Sequence, residues 1–187
     1  MTDETKHLLL ISNSTQFGRG YLDHAEAEIR DLLGPSARVV GPFTASTPRD
    51  AEASRDRSLE EALRFPEPVP AYAEKVFYHT LGAAADGRTE VALLNDRCAG
   101  RPLGVVMHLR LSQLGCFTEW KMPRQGFYVL GLEPGTVYPE GRGSARQAGR
   151  LPMLQGMASH EVDIELEVVE GAPALAEAEK RIASIPV

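Results

Sequence analysis

The chain has 187 residues, of which 43% are hydrophobic and 25% are charged. This composition is typical of a folded globular protein and excludes wholesale disorder. A formal net charge of -6 excludes the broad basic surface that would bind a phosphate backbone or an anionic membrane, so we expect no nucleic acid and no membrane partner.

Two features bear on the cell compartment. The longest apolar run near the start, residues 8–11, is far shorter than the ~20 residues of a membrane span or the ~7 of a secretory signal core. We therefore expect a cytoplasmic protein. The two cysteines, Cys98 and Cys116, lack the spacing of a metal knuckle or a redox pair, which indicates reduced packing residues.

Residues 1–43 have the pattern of a β-α-β segment. An apolar strand, HLLLIS, precedes a polar turn, and Leu22, Ala25 and Ile29 then recur at helical spacing before the stop signal Gly34. The run RVVGPF predicts a second strand. A parallel sheet with helical crossovers would continue this alternation, but the pattern ends there.

The rest of the chain predicts a different architecture. Residues 44–72 are charged and proline-rich, with one short helix near residues 59–65, and are interpreted as a connector. Residues 73–187 contain strand-like runs separated by Gly, Pro, Asn and Asp, which favours an antiparallel sheet or sandwich. The predicted strands are EKVFYHTL, TEVALLN, LGVVMHLRL, FYVLGLE and EVDIELEVVE, followed by a closing helix, PALAEAEKRIAS.

The last of these strands has the clearest alternation. One face carries Val162, Ile164, Leu166 and Val168, and the other carries Asp163, Glu165 and Glu167. This pattern predicts a strand with one buried face.

Glu133 ends the apolar strand FYVLGLE and is followed at once by a proline-glycine turn. The period of two places it on one face with Phe127, Val129 and Gly131. Apolar neighbours would desolvate the carboxylate and raise its pKa, as a general base near neutral pH requires. Gly131 would leave room for a ligand. The alternative is a strand-end acid that is exposed or paired with an arginine.

Other polar residues interrupt apolar runs. His79 follows VFY, and His108 and Arg110 project together from one face of their strand. Two interpretations are open for these residues. They belong to a solvated outer face, or an imidazole among them acts as an acid or a ligand. Trp120 is the only tryptophan and precedes Lys121. An aromatic platform beside a cation suits a sugar or an anionic small molecule, whereas core or rim packing is the alternative.

Several catalytic motifs are missing from the sequence. It contains no phosphate-cradling glycine loop, no Gly-x-Ser-x-Gly elbow and no His-Glu-x-x-His zinc helix. Phosphoryl transfer, serine hydrolysis and zinc catalysis therefore lose their usual support, and we predict no cofactor and no metal.

Two motifs carry a resemblance to a known family. EWKM at residues 119–122 and GLEPGT followed by PEGR at residues 131–142 resemble the C-terminal half of the aldose 1-epimerase-like family of unknown function, in the galactose mutarotase-type superfamily. With the flanking residues, the resemblance extends from Thr47 to Gly171. It implies a partial galactose mutarotase-like antiparallel β-sandwich at 73–187, so that the fold is mainly β with an α/β N-terminal segment.

The resemblance also implies a ligand and site residues. In active mutarotases a glutamate takes the proton from the anomeric hydroxyl of a sugar while a histidine protonates the ring oxygen. Glu133 matches that glutamate and would be the catalytic base, and Trp120 and Lys121 match the family's WKM run as candidate substrate-binding residues. The strand patterns add His79 and Arg110 to the candidate substrate-binding residues. The family's histidine lies in the N-terminal half, which has no counterpart here, so any aldose 1-epimerase activity is expected to be impaired or vestigial.

A second resemblance concerns the start of the chain. Residues 6–43 are similar to the opening of peptidase E, an aspartyl dipeptidase with a Rossmann-like sheet, but the family's serine elbow is absent from the sequence. A dipeptidase remnant and a non-catalytic fusion fragment are therefore the alternatives to a sugar-binding protein. Half of a sandwich would leave faces and edges uncovered, which favours association of copies into a homo-oligomer.

Overall fold

The computed structural model describes residues 27, 29, 33, 36–48, 59–98 and 100–187. The strands are β1 Ala37–Val40, β2 Phe43–Pro48, β3 Lys75–Leu81, β4 Arg88–Cys98, β5 Arg101–Arg110, β6 Cys116–Arg124, β7 Phe127–Gly135 and β8 Glu165–Glu170. The helices are α1 Leu59–Leu63, α2 Arg142–Gln147 and α3 Ala172–Ala183.

The strands form two four-stranded sheets. Sheet A has the order β1-β4-β5-β8 and sheet B the order β2-β3-β6-β7. Every pairing within them is antiparallel. The predicted mainly-β antiparallel sandwich is therefore confirmed.

A hydrophobic core joins the two sheets face to face. Strand alternation directs one side of each sheet inward, where bulky apolar side chains pack against one another. The buried residues of this core are Val39, Val91, Leu109, Leu114 and Phe117.

Helix α3 covers the other face of sheet A. Leu175, Ala178 and Ile182 recur at helical spacing and are buried against Ala92 and Val106 of the sheet. Gly171 with a φ of 84° allows the chain to turn from β8 into this helix. The predicted closing helix is confirmed. Sheet B carries no such helical cover on its outer face within the described part of the chain.

The start of the described chain is paired into both sheets. Strand β1 pairs antiparallel with β4, Ala37 lying opposite Asn95, so it belongs to sheet A. Strand β2 pairs with β3 across the predicted boundary at residue 43. Helix α1 confirms the short helix predicted near residue 59. Most of the predicted first strand and helix lies outside the described residues.

Two strands differ from their predictions. Strand β6 was not predicted, because charged residues and Pro123 interrupt its apolar pattern. Strand β8 begins only at Glu165, and the predicted buried face of this segment is wrong, since Val162, Ile164 and Leu166 are 41%, 47% and 54% exposed. The buried residue of β8 is Val169, which packs with helix α3 on the other face of the strand from Leu166.

Candidate functional site

A shallow groove crosses the outer face of sheet B. It has a volume of about 180 Å³, which suits a ligand smaller than the drug-sized molecules that fill pockets of ~300 Å³ and more. We call it the Trp120 groove, and its lining residues are Glu74, Val76, Thr118, Trp120, Glu133 and Pro139.

The register of three adjacent strands assembles this groove. Val76 of β3 lies opposite Trp120 of β6, and Trp120 lies opposite Gly131 of β7. Thr118 lies opposite Glu133. Because side chains alternate along a strand, these residues share the outer face of the sheet. The structure thus brings together two of the predicted site residues, Trp120 and Glu133.

Glu133 has different surroundings from those predicted. Its side chain is exposed on the outer face, whereas Tyr128 on the opposite face of the same strand is buried. The alternation within β7 was predicted correctly, and the alternative of an exposed acid at the strand end is the one that the structure shows. The expected desolvation of the Glu133 carboxylate is therefore contradicted.

Gly131 makes room for the Glu133 carboxylate. A Cβ atom at position 131 would lie 2.5 Å from Oε1 of Glu133 and 3.4 Å from Cβ of Trp120. The absence of a side chain thus lets the carboxylate lie against the strand beside Trp120. The space over Gly131 that we expected a ligand to occupy is filled by Glu133 itself.

Trp120 is held at two points of its indole ring. Its Nε1–H donates a hydrogen bond of 3.1 Å to Oε2 of Glu74. The ring of Phe127 meets it edge-on, with ring centroids 6.4 Å apart and an interplanar angle of 78°, a favourable aromatic geometry. The half-buried indole therefore has a defined orientation in the groove.

Glu74 was missed in the sequence. It immediately precedes β3, and the period of two puts it on the same face as Val76 and Tyr78. Its nearness to Trp120 depends on the register of β3 with β6. Because β6 was not predicted from the sequence, this register could not be predicted either. An acid at a strand end next to the run KVFYH was the only local signal.

Lys121 lies on the other face of β6 from Trp120. The side chain is 1% exposed, and its Nζ donates hydrogen bonds to the carbonyl oxygens of Glu61 at 2.5 Å, Ala62 at 3.0 Å and Arg64 at 2.5 Å. It thereby satisfies carbonyl groups at the end of α1. Burial lowers the pKa of the ammonium, and Glu119, with Oε1 at 3.6 Å, opposes this in part. The structure does not bring Lys121 to the groove.

His79 is also directed into the core. Its Nε2 lies 2.9 Å from Oε2 of Glu119, and both side chains are fully buried. The rings of Phe43 and Phe117 lie beside the imidazole at centroid distances of 4.3 and 6.1 Å. Since Glu119 and Trp120 leave β6 on opposite faces, the sheet separates His79 from the Trp120 groove.

Arg110 belongs to sheet A. It contributes to a separate cavity of about 320 Å³ with Arg88, its register partner in β4. His108, predicted beside it, is half-buried, with Nε2 3.0 Å from Glu167 and Nδ1 3.4 Å from Glu90. Arg181 of α3 bonds to the same two carboxylates at 2.7 and 2.8 Å. This network joins helix α3 to sheet A, and Arg110 is not brought together with Glu133.

The described residues show neither a metal cluster nor a membrane-spanning helix. Among the residues with described positions, no group of three or more His, Cys, Asp or Glu side chains is arranged to hold a metal ion. Over the same residues, no helix has the length and apolar character needed to span a membrane.

Comparison with known proteins supports the sandwich. The model of a family described as "Domain of unknown function (DUF4432)" matches residues 30–168. The crystal structure of a "putative aldose 1-epimerase" from Klebsiella pneumoniae subsp. pneumoniae MGH 78578, at 1.90 Å resolution, is similar with a TM-score of 0.73 and 27% sequence identity. The likeness covers 83% of this chain and 40% of that one, so the chain spans less than half the length of the protein it matches.

The same comparisons correct the predicted N-terminal resemblance. The family match begins at residue 30 and so includes part of the segment that resembled peptidase E. Strand β1, within that segment, is paired into sheet A. The peptidase E-like interpretation of residues 6–43 is therefore not supported, whereas the aldose 1-epimerase-like fold is confirmed.

Proposed function

The chain belongs to the DUF4432 family, and we propose that it binds an aldose in the Trp120 groove. The observation that carries this proposal is the placement of Glu133 beside a fixed indole on the open face of sheet B. The likeness to the Klebsiella protein supports a carbohydrate-related function.

The chemistry of the groove suits a sugar ring. A sugar presents an apolar face of C–H groups and a rim of hydroxyl donors and acceptors. The indole of Trp120 offers a flat apolar surface for the first, and the carboxylates of Glu74 and Glu133 accept hydrogen bonds from the second. A volume of about 180 Å³ suits one sugar residue better than a long oligosaccharide.

Glu133 would serve as the base if the bound aldose is epimerised. Its carboxylate would remove the proton of the anomeric hydroxyl, the bond from the anomeric carbon to the ring oxygen would break, and the ring oxygen would take up a proton from solvent water. After rotation about the bond between carbons 1 and 2, the ring hydroxyl would lose its proton to solvent as it attacks the carbonyl carbon, and Glu133 would return its proton to the carbonyl oxygen to give the other anomer. The described lining of the groove contains no histidine, so we propose binding with weak epimerase activity.

Isothermal titration calorimetry with a panel of aldoses tests this proposal. The wild type should bind at least one aldose saturably, and Glu133→Gln, which keeps the side-chain size but removes the charge, should bind it about tenfold more weakly. Glu165→Gln is the matched control, because Glu165 is an exposed acid on β8 of sheet A. Absence of heat with every aldose would refute the assignment, as would equal losses in the two variants.

Polarimetry tests the weaker claim about catalysis. Conversion of a freshly dissolved α-anomer should proceed above the uncatalysed rate with the wild type and at the uncatalysed rate with Glu133→Gln. If an aldose binds but its anomers interconvert only at the uncatalysed rate, the protein binds the sugar without epimerase activity.

A further inference from the structure

Glu74 occupies a special position at the Trp120 groove. Oε2 accepts the indole hydrogen bond, and within the described part of the chain Glu74 makes no other hydrogen bond or ion pair. Its side chain is exposed, so Oε1 can accept a hydrogen bond from a ligand. No local motif singles out this residue.

The two carboxylates of the groove come from chain segments on opposite sides of the strand that carries Trp120. Sheet B has the order β2-β3-β6-β7, which places Trp120 on a strand between its neighbours β3 and β7. Glu74 immediately precedes β3, and Glu133 lies in β7. A ligand stacked on Trp120 would therefore have a carboxylate on each side.

The described lining of the groove offers no cation to oppose these charges. Its described lining residues include two acids and no Lys, Arg or His. Lys121, whose position next to Trp120 favoured an anionic ligand as one alternative, instead donates to three carbonyl oxygens on the other face of β6. An anionic ligand would therefore meet like charge from Glu74 and Glu133.

We propose that Glu74 positions Trp120 and, with Glu133, makes the groove select neutral aldoses against phosphorylated or otherwise anionic sugars. Fixing the indole in advance lowers the ordering cost of binding. Repulsion of anions gives selectivity in addition to the attractive contacts. The inference rests on the proposed function, which gives an aldose as the ligand but states neither the charge of that ligand nor the role of Glu74.

The positioning role has a readout that needs no ligand. The chain has one tryptophan, so a ¹H–¹⁵N spectrum contains a single indole N–H resonance. Glu74→Ala should shift this resonance, because the hydrogen bond is lost, whereas Glu74→Gln keeps an acceptor oxygen and should restore most of the wild-type shift. Glu67→Ala, an exposed acid outside the groove, should leave the resonance unmoved. An unmoved resonance in Glu74→Ala would overturn the positioning role.

The selectivity has a separate readout. The wild type should bind a neutral aldose on the order of tenfold more tightly than the phosphate ester of the same aldose. Glu74→Gln should reduce this ratio, because one of the two repelling charges is removed. Equal affinity for both sugars, or tighter binding of the phosphate, would overturn the selectivity.

The two readouts separate this inference from the proposed function. If the indole resonance shifts in Glu74→Ala but the wild type binds no neutral aldose and no aldose phosphate, the proposed function and the selectivity both fail and the positioning of Trp120 stands. If the wild type binds a neutral aldose but Glu74→Ala changes neither the resonance nor the affinity, the proposed function stands and the role of Glu74 fails.

Discussion

Trp120 and Lys121 are consecutive residues of β6, but the indole bonds to Glu74 in the open groove, whereas the ammonium ends among three backbone carbonyl groups of the α1 region. Alternation along the strand causes this division. One residue of the pair is available to a ligand, and the other stabilises the fold.

Substitution of Lys121 should therefore affect mainly stability, whereas substitution of Trp120 should affect mainly aldose binding. Lys121→Met removes a buried cation and its three hydrogen bonds, and should lower the free energy of unfolding by about 3 kcal/mol without changing aldose affinity. Trp120→Leu should weaken aldose binding about tenfold or more with a smaller loss of stability. Urea unfolding and calorimetric titration measure the two quantities. Loss of aldose affinity in folded Lys121→Met would contradict this division of roles.

The stability of the fold should depend on pH through Lys121. Burial lowers the pKa of its ammonium below the ordinary value of 10.5, so between these two pKa values the unfolded chain binds more protons than the folded chain. The contribution of Lys121 to the free energy of unfolding therefore rises with pH between the two pKa values and is lowest at pH values below both.

Comparison of the wild type with Lys121→Met isolates that contribution. Urea unfolding at a series of pH values approaching 10.5 should show the stability advantage of the wild type growing with pH. Groups common to the two proteins cancel in the difference. A difference that stays constant or shrinks would contradict a lowered pKa.

Gly131→Ala should move the Glu133 carboxylate without removing it. The new Cβ would lie 2.5 Å from Oε1 of Glu133, which is the end of a flexible side chain in an open groove, so the carboxylate should shift and the free energy of unfolding should fall by less than about 1 kcal/mol. Aldose affinity and any mutarotation rate should fall as in Glu133→Gln.

Gly143→Ala is the matched control for that variant. A Cβ at position 143 would meet nothing within 4 Å, and Gly143 lies in α2, outside the groove. Calorimetry and polarimetry should give wild-type values for this control. A wild-type affinity in Gly131→Ala would mean that the position of the carboxylate is unimportant.

The buried pair of His79 and Glu119 should couple strongly in unfolding experiments. His79→Leu leaves the buried Oε2 of Glu119 without its 2.9 Å partner and should cost about 3 kcal/mol, because an unpaired buried polar group keeps its desolvation penalty. The double variant His79→Leu/Glu119→Leu should lose about 1–3 kcal/mol less than the sum of the two single variants. Additive losses would show that the pair is not coupled.

The sequence pattern predicted much of the fold because alternation and helical spacing are local properties. The strand containing Glu133 and the helix containing Leu175 and Ile182 were predicted from neighbouring residues alone. Strand β6 was not, because Glu119 and Lys121 resemble surface residues until their partners His79 and α1 are known. Those partners are 40 and about 60 residues away in sequence.

The site was predictable only in part for the same reason. Motif resemblance led to Glu133 and Trp120, which the structure places together. The sequence could not show which face of β7 enters the core, and so the desolvation of Glu133 was expected wrongly. Glu74 becomes visible only once the register of β3 and β6 places it beside the indole.

Intrinsic fluorescence of Trp120 tests the central claim most directly. It is the only tryptophan of the chain, so any change in tryptophan emission reports on the groove. Titration of the wild type with neutral aldoses should give a saturable change for at least one sugar, and Glu133→Gln should shift its midpoint to about tenfold higher concentration. Emission that no aldose changes in a saturable manner would contradict an aldose site at the groove.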